Sequence, residues 1–185
     1  MPSSSVTFEA LGTEWHIETM HEIPSRLLSS IYARIELFDK TYSRFRTDSL
    51  IMKISKEKGT YIFPNDAPYL MDFYDQLYEM TNGKVTPTIG SILEEAGYDA
   101  GYSFTRKPHK KLTLWPQVVT RIDHTLENRE PIMLDFGAAG KGYMVDIIAN
   151  LLEKEGIQDY VIDASGDIRH HGALLKSSRT ATSRY

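Results

Sequence analysis

The sequence predicts a mixed α/β fold of the α+β class, with helices packed on a sheet. Between Ile132 and Asp163, an apolar run, a glycine-rich turn, an amphipathic stretch and a second apolar run follow one another. This order of strand, turn, helix and strand is typical of architectures with at least one crossover connection. Two further patterns agree with it. Residues 10–19 alternate with the period of a strand, and the apolar residues after Pro24 recur with the period of a helix.

The first predicted strand is Ala10 to Thr19, and the first predicted helix begins at Pro24. The apolar residues of this helix are four, four and three positions apart, which places them on one buried stripe. They are Leu27, Ile31, Ile35 and Phe38. A short helix is then expected from Ser49 to Ser55, followed by a brief strand over residues 61–63.

The next helix is predicted between two local signals. Asp66 can act as its N-cap with Pro68 in the first turn, and Asn82-Gly83 ends it. Its expected inward residues are Leu70, Phe73, Leu77 and Met80. Residues 84–90 are predicted to be irregular, and two further strands are expected over residues 112–115 and 132–135.

The C-terminal part begins with a helix predicted from Gly142 to Glu155 and terminated by Gly156. Its expected inward residues are Met144, Ile148, Leu151 and Leu152. A buried strand over Tyr160 to Asp163 follows. From residue 173 the chain is basic and rich in small polar residues. We therefore expect a domain over residues 1–172 and a disordered tail over residues 173–185.

Composition excludes several classes of function. The chain has 185 residues and no cysteine, so disulfides, thiolate metal sites and a cysteine nucleophile are excluded. Its 21 basic and 25 acidic residues are well mixed, which argues against nucleic-acid binding. The N-terminus lacks the pattern of a signal peptide, and no apolar run is long enough for a membrane segment. We therefore expect a cytoplasmic protein.

An acid, several glycines and a lysine stand together at the predicted junction of strand and helix. Asp135 ends the apolar run, and Lys141 lies in the glycine-rich segment 137–142. Such turns bind phosphates, because glycine allows close approach and helix N-termini present free N–H groups. The segment is neither a P-loop, since Gly142 follows the lysine, nor a dinucleotide fingerprint, since its glycines read GxxGxG. A tight turn with a surface lysine is the alternative.

Five motifs in order resemble the ApbE family of flavin transferases, over residues 11 to 172. They are Leu11-Gly12-Thr13-x-Trp15, Tyr42-Ser43-x-Phe45-Arg46, Gly83-x-x-x-Pro87-Thr88-x-Gly90, Leu134-Asp135-x-Gly137-x-x-x-Lys141-Gly142-Tyr143-x-Val145-Asp146 and Asp163-x-Ser165-Gly166-Asp167-Ile168. The resemblance implies an ApbE-like, T-fold-related sheet in an FAD-binding domain. It also implies transfer of FMN from FAD, with Mg²⁺, to a threonine or serine hydroxyl in the flavinylation motif of an acceptor flavoprotein, with release of AMP.

The resemblance also assigns site residues. Those expected to contact FAD are Leu11, Tyr42, Lys84, Val85, Thr86, Asp135 and Lys141. The backbone carbonyl of Ala138 is expected to be one ligand of Mg²⁺, a cation that prefers oxygen. No catalytic residue is assigned. For two positions a structural alternative stays open: Tyr42 as a core aromatic, and Asp135 as a cap of the turn that follows it.

Three departures from the family pattern qualify these expectations. Thr86 stands where the family has an aspartate, and Ser165 stands in place of a usual glycine pair. The family continues beyond the position of Gly172 with segments that supply further metal ligands, so a truncated form is expected. The alternatives are an FAD-binding homologue without activity and a pyrophosphatase that converts FAD to FMN and AMP. Open sheet edges would also favour self-association into a homo-oligomer.

Overall fold

The structure is a computed structural model that describes residues 4–99, 101, 103–108 and 112–173. The chain divides into two compact units. The first comprises the described residues of Met1–Ile35 and Lys141–Tyr185, and the second those of Glu36–Gly140. Apart from Ala173, the tail predicted for residues 173–185 lies outside the described residues. Within them, none of the helices combines the length and apolar character needed to cross a membrane.

The first unit is built on a four-stranded antiparallel sheet in the order β1-β2-β6-β7. Its strands are β1 (Ser4–Ala10), β2 (Thr13–Thr19), β6 (Tyr160–Ala164) and β7 (Asp167–His171). Strand β2 pairs with β6 in a register that sets Ile17 opposite Ile162, and both side chains are fully buried. The N-terminal part of helix α1 (Ser25–Tyr42) and most of helix α6 (Gly137–Lys154) also belong to this unit.

The second unit contains a three-stranded antiparallel sheet in the order β3-β5-β4. Its strands are β3 (Gly59–Ile62), β4 (Val119–Ile122) and β5 (Thr125–Asn128). Its helices are α2 (Leu50–Ile54), α3 (Ala67–Met80), α4 (Gly90–Glu95) and α5 (Trp115–Val118), with a 3₁₀ turn at Pro87–Ile89 before α4. The buried amide of Asn128 accepts a bond from Gly59 N at 2.7 Å and donates to the carbonyls of Glu57 and Glu130, at 3.0 and 2.7 Å. Asn128 therefore ties the sheet to the loops around it.

The mixed α/β class is confirmed, and so are several elements. All four stripe residues of α1 are at most 7% exposed. Ser49 caps α2, its hydroxyl accepting a bond from Met52 N at 3.1 Å. Gly156 follows α6 with a positive φ of 79°, as expected of a helix terminator. Strand β6 occupies the predicted buried run.

The glycine-rich segment is helical, so the predicted turn over residues 137–142 is wrong. Helix α6 begins at Gly137, five residues before the predicted start. The glycines are explained by close packing: a Cβ at Gly137 would lie 2.9 Å from Asp135 Oδ1, and one at Gly140 would lie 3.2 Å from the Phe38 ring. Contacts this tight favour glycine although its intrinsic helix propensity is poor.

Two predicted strands are also absent from the structure. Residues 132–135 are not in a sheet, because Ile132 N donates to the carbonyl of Ile54 and Asp135 N to that of Pro87, at 3.2 and 2.7 Å. Residues 112–114 have no regular structure, and Trp115 begins a short helix with proline in its first turn. The predicted opening strand is interrupted at Leu11-Gly12, a two-residue hairpin loop between β1 and β2.

The buried face of α3 differs from the predicted one. Its buried residues are Ala67, Leu70, Met71 and Tyr74. Phe73 is 46% exposed and Met80 is 80% exposed. Both sets have helical spacing, so periodicity alone could not choose between them. Asp66 lies at the N-cap position but makes no capping hydrogen bond with its side chain. Strands β1, β4, β5 and β7 and helices α4 and α5 had not been predicted.

Candidate functional site

Asp135 is held from two sides at the start of α6. Its Oδ1 accepts a bond from the backbone N–H of Gly137 at 2.7 Å, and its Oδ2 accepts one from Arg44 Nε at 2.5 Å. The first contact satisfies a free N–H group at the helix start, where a negative charge is also favoured by the helix dipole. Asp135 thus does cap α6, the alternative that the sequence left open, and its side chain is 14% exposed.

Arg44 is the buried partner that the sequence did not reveal. Its side chain is 6% exposed, and its Nη1 donates to the carbonyl of Tyr98 at 2.5 Å. Its guanidinium also lies 4.1 Å from the ring centroid of Phe45. Arg44 therefore connects the start of α6 to the segment that follows α4. Its partner carboxylate is 91 positions away in the sequence, so no local pattern could have indicated the pair.

Tyr42 lies in a cluster of aromatic rings within the second unit. It is 5% exposed, and its ring centroid lies 4.6 Å from that of Phe38, 5.8 Å from that of Phe63 and 5.3 Å from that of Phe136. The cluster continues to Tyr74, 5.2 Å from Phe136. Tyr42 is thus part of a packed core next to the residues around Asp135, and its contact with FAD stays a prediction.

Tyr74 brings a hydroxyl to the first turn of α6. The backbone N–H of Ala139 donates to Tyr74 Oη at 3.2 Å. Burial raises the pKa of the Tyr74 phenol, so it stays protonated at neutral pH. The hydroxyl therefore satisfies a second N–H group at this helix start, besides the one bonded by Asp135. Sequence reasoning missed Tyr74 because it placed the buried face of α3 elsewhere.

The predicted residues 84–86 lead into the 3₁₀ turn. Lys84 is exposed, Val85 is half-buried and Thr86 is buried. The Thr86 hydroxyl caps the turn by accepting a bond from Thr88 N at 3.3 Å, and it lies 2.8 Å from the Thr88 hydroxyl. The carbonyl of Pro87 in this turn accepts the bond from Asp135 N described above. The structure therefore brings Thr86 into the same neighbourhood as Asp135.

Lys141 has its own partners in the first unit. Its Nζ lies 3.1 Å from Asp167 Oδ2 and donates to the carbonyl of Ala164 at 3.2 Å. The lysine side chain is 29% exposed and that of Asp167 is 42% exposed. The pair lies at the turn between β6 and β7, where Asp163 Oδ1 accepts a bond from Gly166 N at 3.0 Å. Lys141 is thus a partly exposed cation with a defined position.

Leu11 occupies the loop of the β1–β2 hairpin. Its φ is +51° and that of Gly12 is +74°, as a two-residue hairpin loop of the commonest type requires. Leucine rarely adopts this left-handed conformation, which costs about 1–2 kcal/mol. The strain places a half-buried apolar side chain at the loop. Its predicted contact with FAD is untested by this geometry.

The donor set for Mg²⁺ is incomplete in the part of the chain that the structure describes. Ala138 is exposed in the first turn of α6, and its carbonyl is the one ligand that the sequence suggested. Among the described residues, no group of three or more histidine, aspartate or glutamate side chains is placed to hold a metal ion. Since Mg²⁺ requires about six oxygen ligands, these residues alone do not form its site.

Comparison with known proteins gives consistent matches. A model of the ApbE family matches residues 11–181. The FAD:protein FMN transferase of Buchnera aphidicola is 22% identical over 86% of this chain and 51% of its own length. The protein of the same description from Vibrio cholerae is 23% identical over 88% of this chain and 52% of its own length. The chain therefore spans about half the length of these curated relatives.

Solved structures show the same fold. The flavin transferase ApbE of Vibrio cholerae matches with a TM-score of 0.78 and 20% identity, over 94% of this chain and 61% of the other. The apo form of the flavinyl transferase ApbE of Pseudomonas stutzeri matches with a TM-score of 0.76 and 18% identity, over 92% and 61% of the two chains. At this level of identity the comparison establishes the architecture.

Proposed function

This chain belongs to the ApbE family, and we propose that it transfers FMN from FAD to a threonine or serine hydroxyl of an acceptor flavoprotein, with release of AMP. The observation that carries the proposal is the family match across residues 11–181, together with relatives described as FAD:protein FMN transferases. The chain spans about half the length of those relatives. Its activity, its substrates and its acceptor are therefore proposed.

The reaction is a displacement at phosphorus. The acceptor oxygen forms a bond to the phosphorus of the FMN half, the bridging oxygen leaves with AMP, and the hydroxyl proton passes to solvent or to a base that we do not assign. Positioning and stabilisation of charge supply most of the acceleration in phosphoryl transfer. The protein must therefore orient the pyrophosphate and offset its negative charge.

Lys141 is the residue we propose for binding the pyrophosphate. Its ammonium is partly exposed, and its carboxylate partner is itself 42% exposed. An exposed ion pair of this kind contributes little to stability, so a phosphate can compete for the cation at small cost. Asp135 is proposed to accept a hydrogen bond from FAD while it caps α6. Leu11, Tyr42, Lys84, Val85 and Thr86 are proposed to complete the contacts with FAD.

Mg²⁺ belongs to the proposal as a requirement to be tested. The carbonyl of Ala138 is its proposed protein ligand, but the described residues do not complete the coordination. No step above is therefore routed through the metal. For a transferase that requires Mg²⁺, we expect EDTA to abolish AMP release and to weaken FAD binding. An affinity for FAD that EDTA barely changes would favour an inactive FAD-binding homologue.

The decisive experiment combines the protein, FAD, Mg²⁺ and an acceptor flavoprotein that carries a flavinylation motif. A transferase adds the mass of FMN to the acceptor and releases AMP in equal amount. AMP release without an adduct would indicate a pyrophosphatase, and FAD binding without AMP would indicate an inactive homologue. Lys141→Gln should lower the rate and the affinity for FAD, whereas Lys154→Gln, in the last turn of the same helix, should change neither.

Self-association and a cytoplasmic location complete the proposal. Strands β1 and β7 are the outer strands of the four-stranded sheet in the described part of the chain, and outer strands offer backbone groups for pairing. Sedimentation velocity across a range of protein concentrations tests self-association. A single monomeric species at every concentration would contradict it. Cell fractionation tests the location.

A further inference from the structure

A groove on the second unit is lined by lysines that the proposed function does not use. It lies between the end of α1 and α2 and has a volume of about 560 Å³. This volume is within the range of small-molecule sites. Its principal lining residues are Lys40, Lys53, Lys56, Thr47, Leu37 and Leu50. We call it the basic groove, and it contains none of the residues assigned to FAD.

Two of its lysines are available to a ligand. Within the described residues, neither Lys53 nor Lys56 forms an ion pair, and the Lys53 ammonium lies 6.0 Å from the centroid of the Tyr61 ring. Both side chains are exposed and belong to α2 and the turn that follows it. Lys40 pairs with Glu36 at 3.2 Å, but both partners are about half exposed, so this pair is readily exchanged.

The one acid in the lining is held by an arginine. Asp48 accepts bonds from Arg46 Nε and Nη2, at 2.9 and 3.0 Å, and this contact lowers the pKa of its carboxyl. Arg46 also bonds Glu36 and Asp39, each at 3.0 Å, and Glu36 is shared with Lys40. These carboxylates therefore bond Arg46 and Lys40, whereas Lys53 and Lys56 keep their charge for a ligand.

The wall of the groove is fixed and partly apolar. The buried hydroxyl of Ser49 donates to the carbonyl of Ser43 at 2.5 Å and caps α2, which ties both ends of the loop 43–49. Leu37 is 47% exposed on the same side of α1 as Lys40, three positions away. The groove thus has lysines in one region and leucine in another. Such a site is suited to a ligand that carries both an anionic group and an apolar group.

We propose that the basic groove binds a small phosphate-bearing anion, with Lys53 and Lys56 contacting the phosphate and Leu37 and Leu50 contacting an organic moiety. A phosphate carries enough negative charge to bind two ammonium groups of one groove, and lysine is a common phosphate-binding residue. The shared chemistry admits two sources, an inorganic phosphate and a nucleotide. The proposal is independent of flavin transfer, because it uses none of the residues assigned to it.

The first test is isothermal titration calorimetry of the full chain with pyrophosphate and with ADP, at about 0.15 M salt. A double variant, Lys53→Gln with Lys56→Gln, should weaken binding by about tenfold or more, because it removes two charged hydrogen bonds. Lys58→Gln is the matched control, since Lys58 is an exposed lysine outside the groove. The Lys58→Gln variant should bind both ligands as tightly as the unaltered protein does. Equal affinities in the double variant and the control would overturn the proposal.

The two ligands separate the sources. A nucleotide site would bind ADP more tightly than pyrophosphate. In Leu37→Ser, its affinity for ADP should then fall to its affinity for pyrophosphate. Equal affinities, unaffected by Leu37→Ser, would support an inorganic phosphate site.

Competition with FAD is the second measurement and requires no variant. If FAD does not displace ADP, and amide chemical shifts of residues 37–56 move on titration, the groove is a separate site. Displacement of ADP by FAD in a one-to-one manner, with shifts centred on residues 135–141, would contradict the proposal.

Discussion

The two units hold their principal charged pairs in opposite ways. In the second unit, Arg44 and Asp135 are nearly buried and each has a further backbone partner. In the first unit, Lys141 and Asp167 are both partly exposed. A buried pair whose members are fully bonded is costly to break, whereas an exposed pair can exchange partners. The buried pair therefore holds its part of the framework, whereas the exposed pair can release its lysine to another anion at small cost.

The largest expected effect comes from breaking the buried pair. Arg44→Met would leave the Asp135 carboxylate without its guanidinium partner, and loss of one member of a buried pair typically costs about 3–5 kcal/mol. We expect the free energy of unfolding of the second unit to fall by about that amount in urea titration. As a control, Arg26→Met removes a pair in which the arginine is 76% exposed and should cost less than about 1 kcal/mol. Similar losses in the two variants would refute the comparison.

The next effect concerns the hydroxyl at the start of α6. Tyr74→Phe removes one of the two acceptors of the Ala139 N–H and leaves only the longer bond to the carbonyl of Phe136 at 3.3 Å, at a cost of about 1 kcal/mol. Thermal unfolding should show a lower Tm than for Tyr69→Phe, a change on the same helix at a side chain that is 76% exposed. If the two variants have the same Tm, the Tyr74 hydroxyl does not stabilise the start of α6.

A pH effect is expected from the buried phenol of Tyr160 in the first unit. Burial, followed by the hydrogen bond to Glu153, raises the pKa of Tyr160 above its ordinary value of 10.0. The folded state therefore binds this proton more tightly, so stability is unaffected below about pH 10 and decreases as the pH rises toward the folded pKa. Unfolding curves at pH 8 and pH 11 should show a smaller loss for Tyr160→Phe than for the unaltered protein. An equal loss would contradict this assignment.

The smallest effect on stability is expected at Lys141. Lys141→Gln should change the free energy of unfolding by less than about 1 kcal/mol, because its ion pair is exposed. The same variant should weaken FAD binding, which fluorescence titration measures. A large loss of stability would mean that Lys141 belongs to the framework as Arg44 does, and the contrast between the two units would disappear.

Local patterns were sufficient for elements whose signals lie within a few residues of one another. The stripe of α1 and the Gly156 terminator depend on spacing and on single-residue chemistry, and the structure confirms both. The glycine-rich segment shows the limit of such reasoning. Its glycines suggested a turn, but they lie within a helix, where the Asp135 carboxylate and the Phe38 ring leave little room for a Cβ. The contact between Gly140 and Phe38 joins distant parts of the chain, so no local pattern indicates it.

The candidate site divides in the same way. Asp135 and Lys141 could be selected from the sequence because both belong to one specific motif. Arg44 and Tyr74 could not, since each meets the start of α6 from a distant part of the chain. Tyr42 was selected from the family pattern as an FAD contact, which stays a prediction, and only the structure shows that it packs among three aromatic rings.

The sequence by itself determined the mixed α/β class, the family, and the helices whose apolar spacing and terminating glycine are local. The tertiary structure decided which face of α3 is buried, where α6 begins, and which carboxylates are held and which are exposed. The reason is physical. Helix caps and periodicity act over one or two turns of chain, whereas burial and ion pairing join groups as much as 91 residues apart.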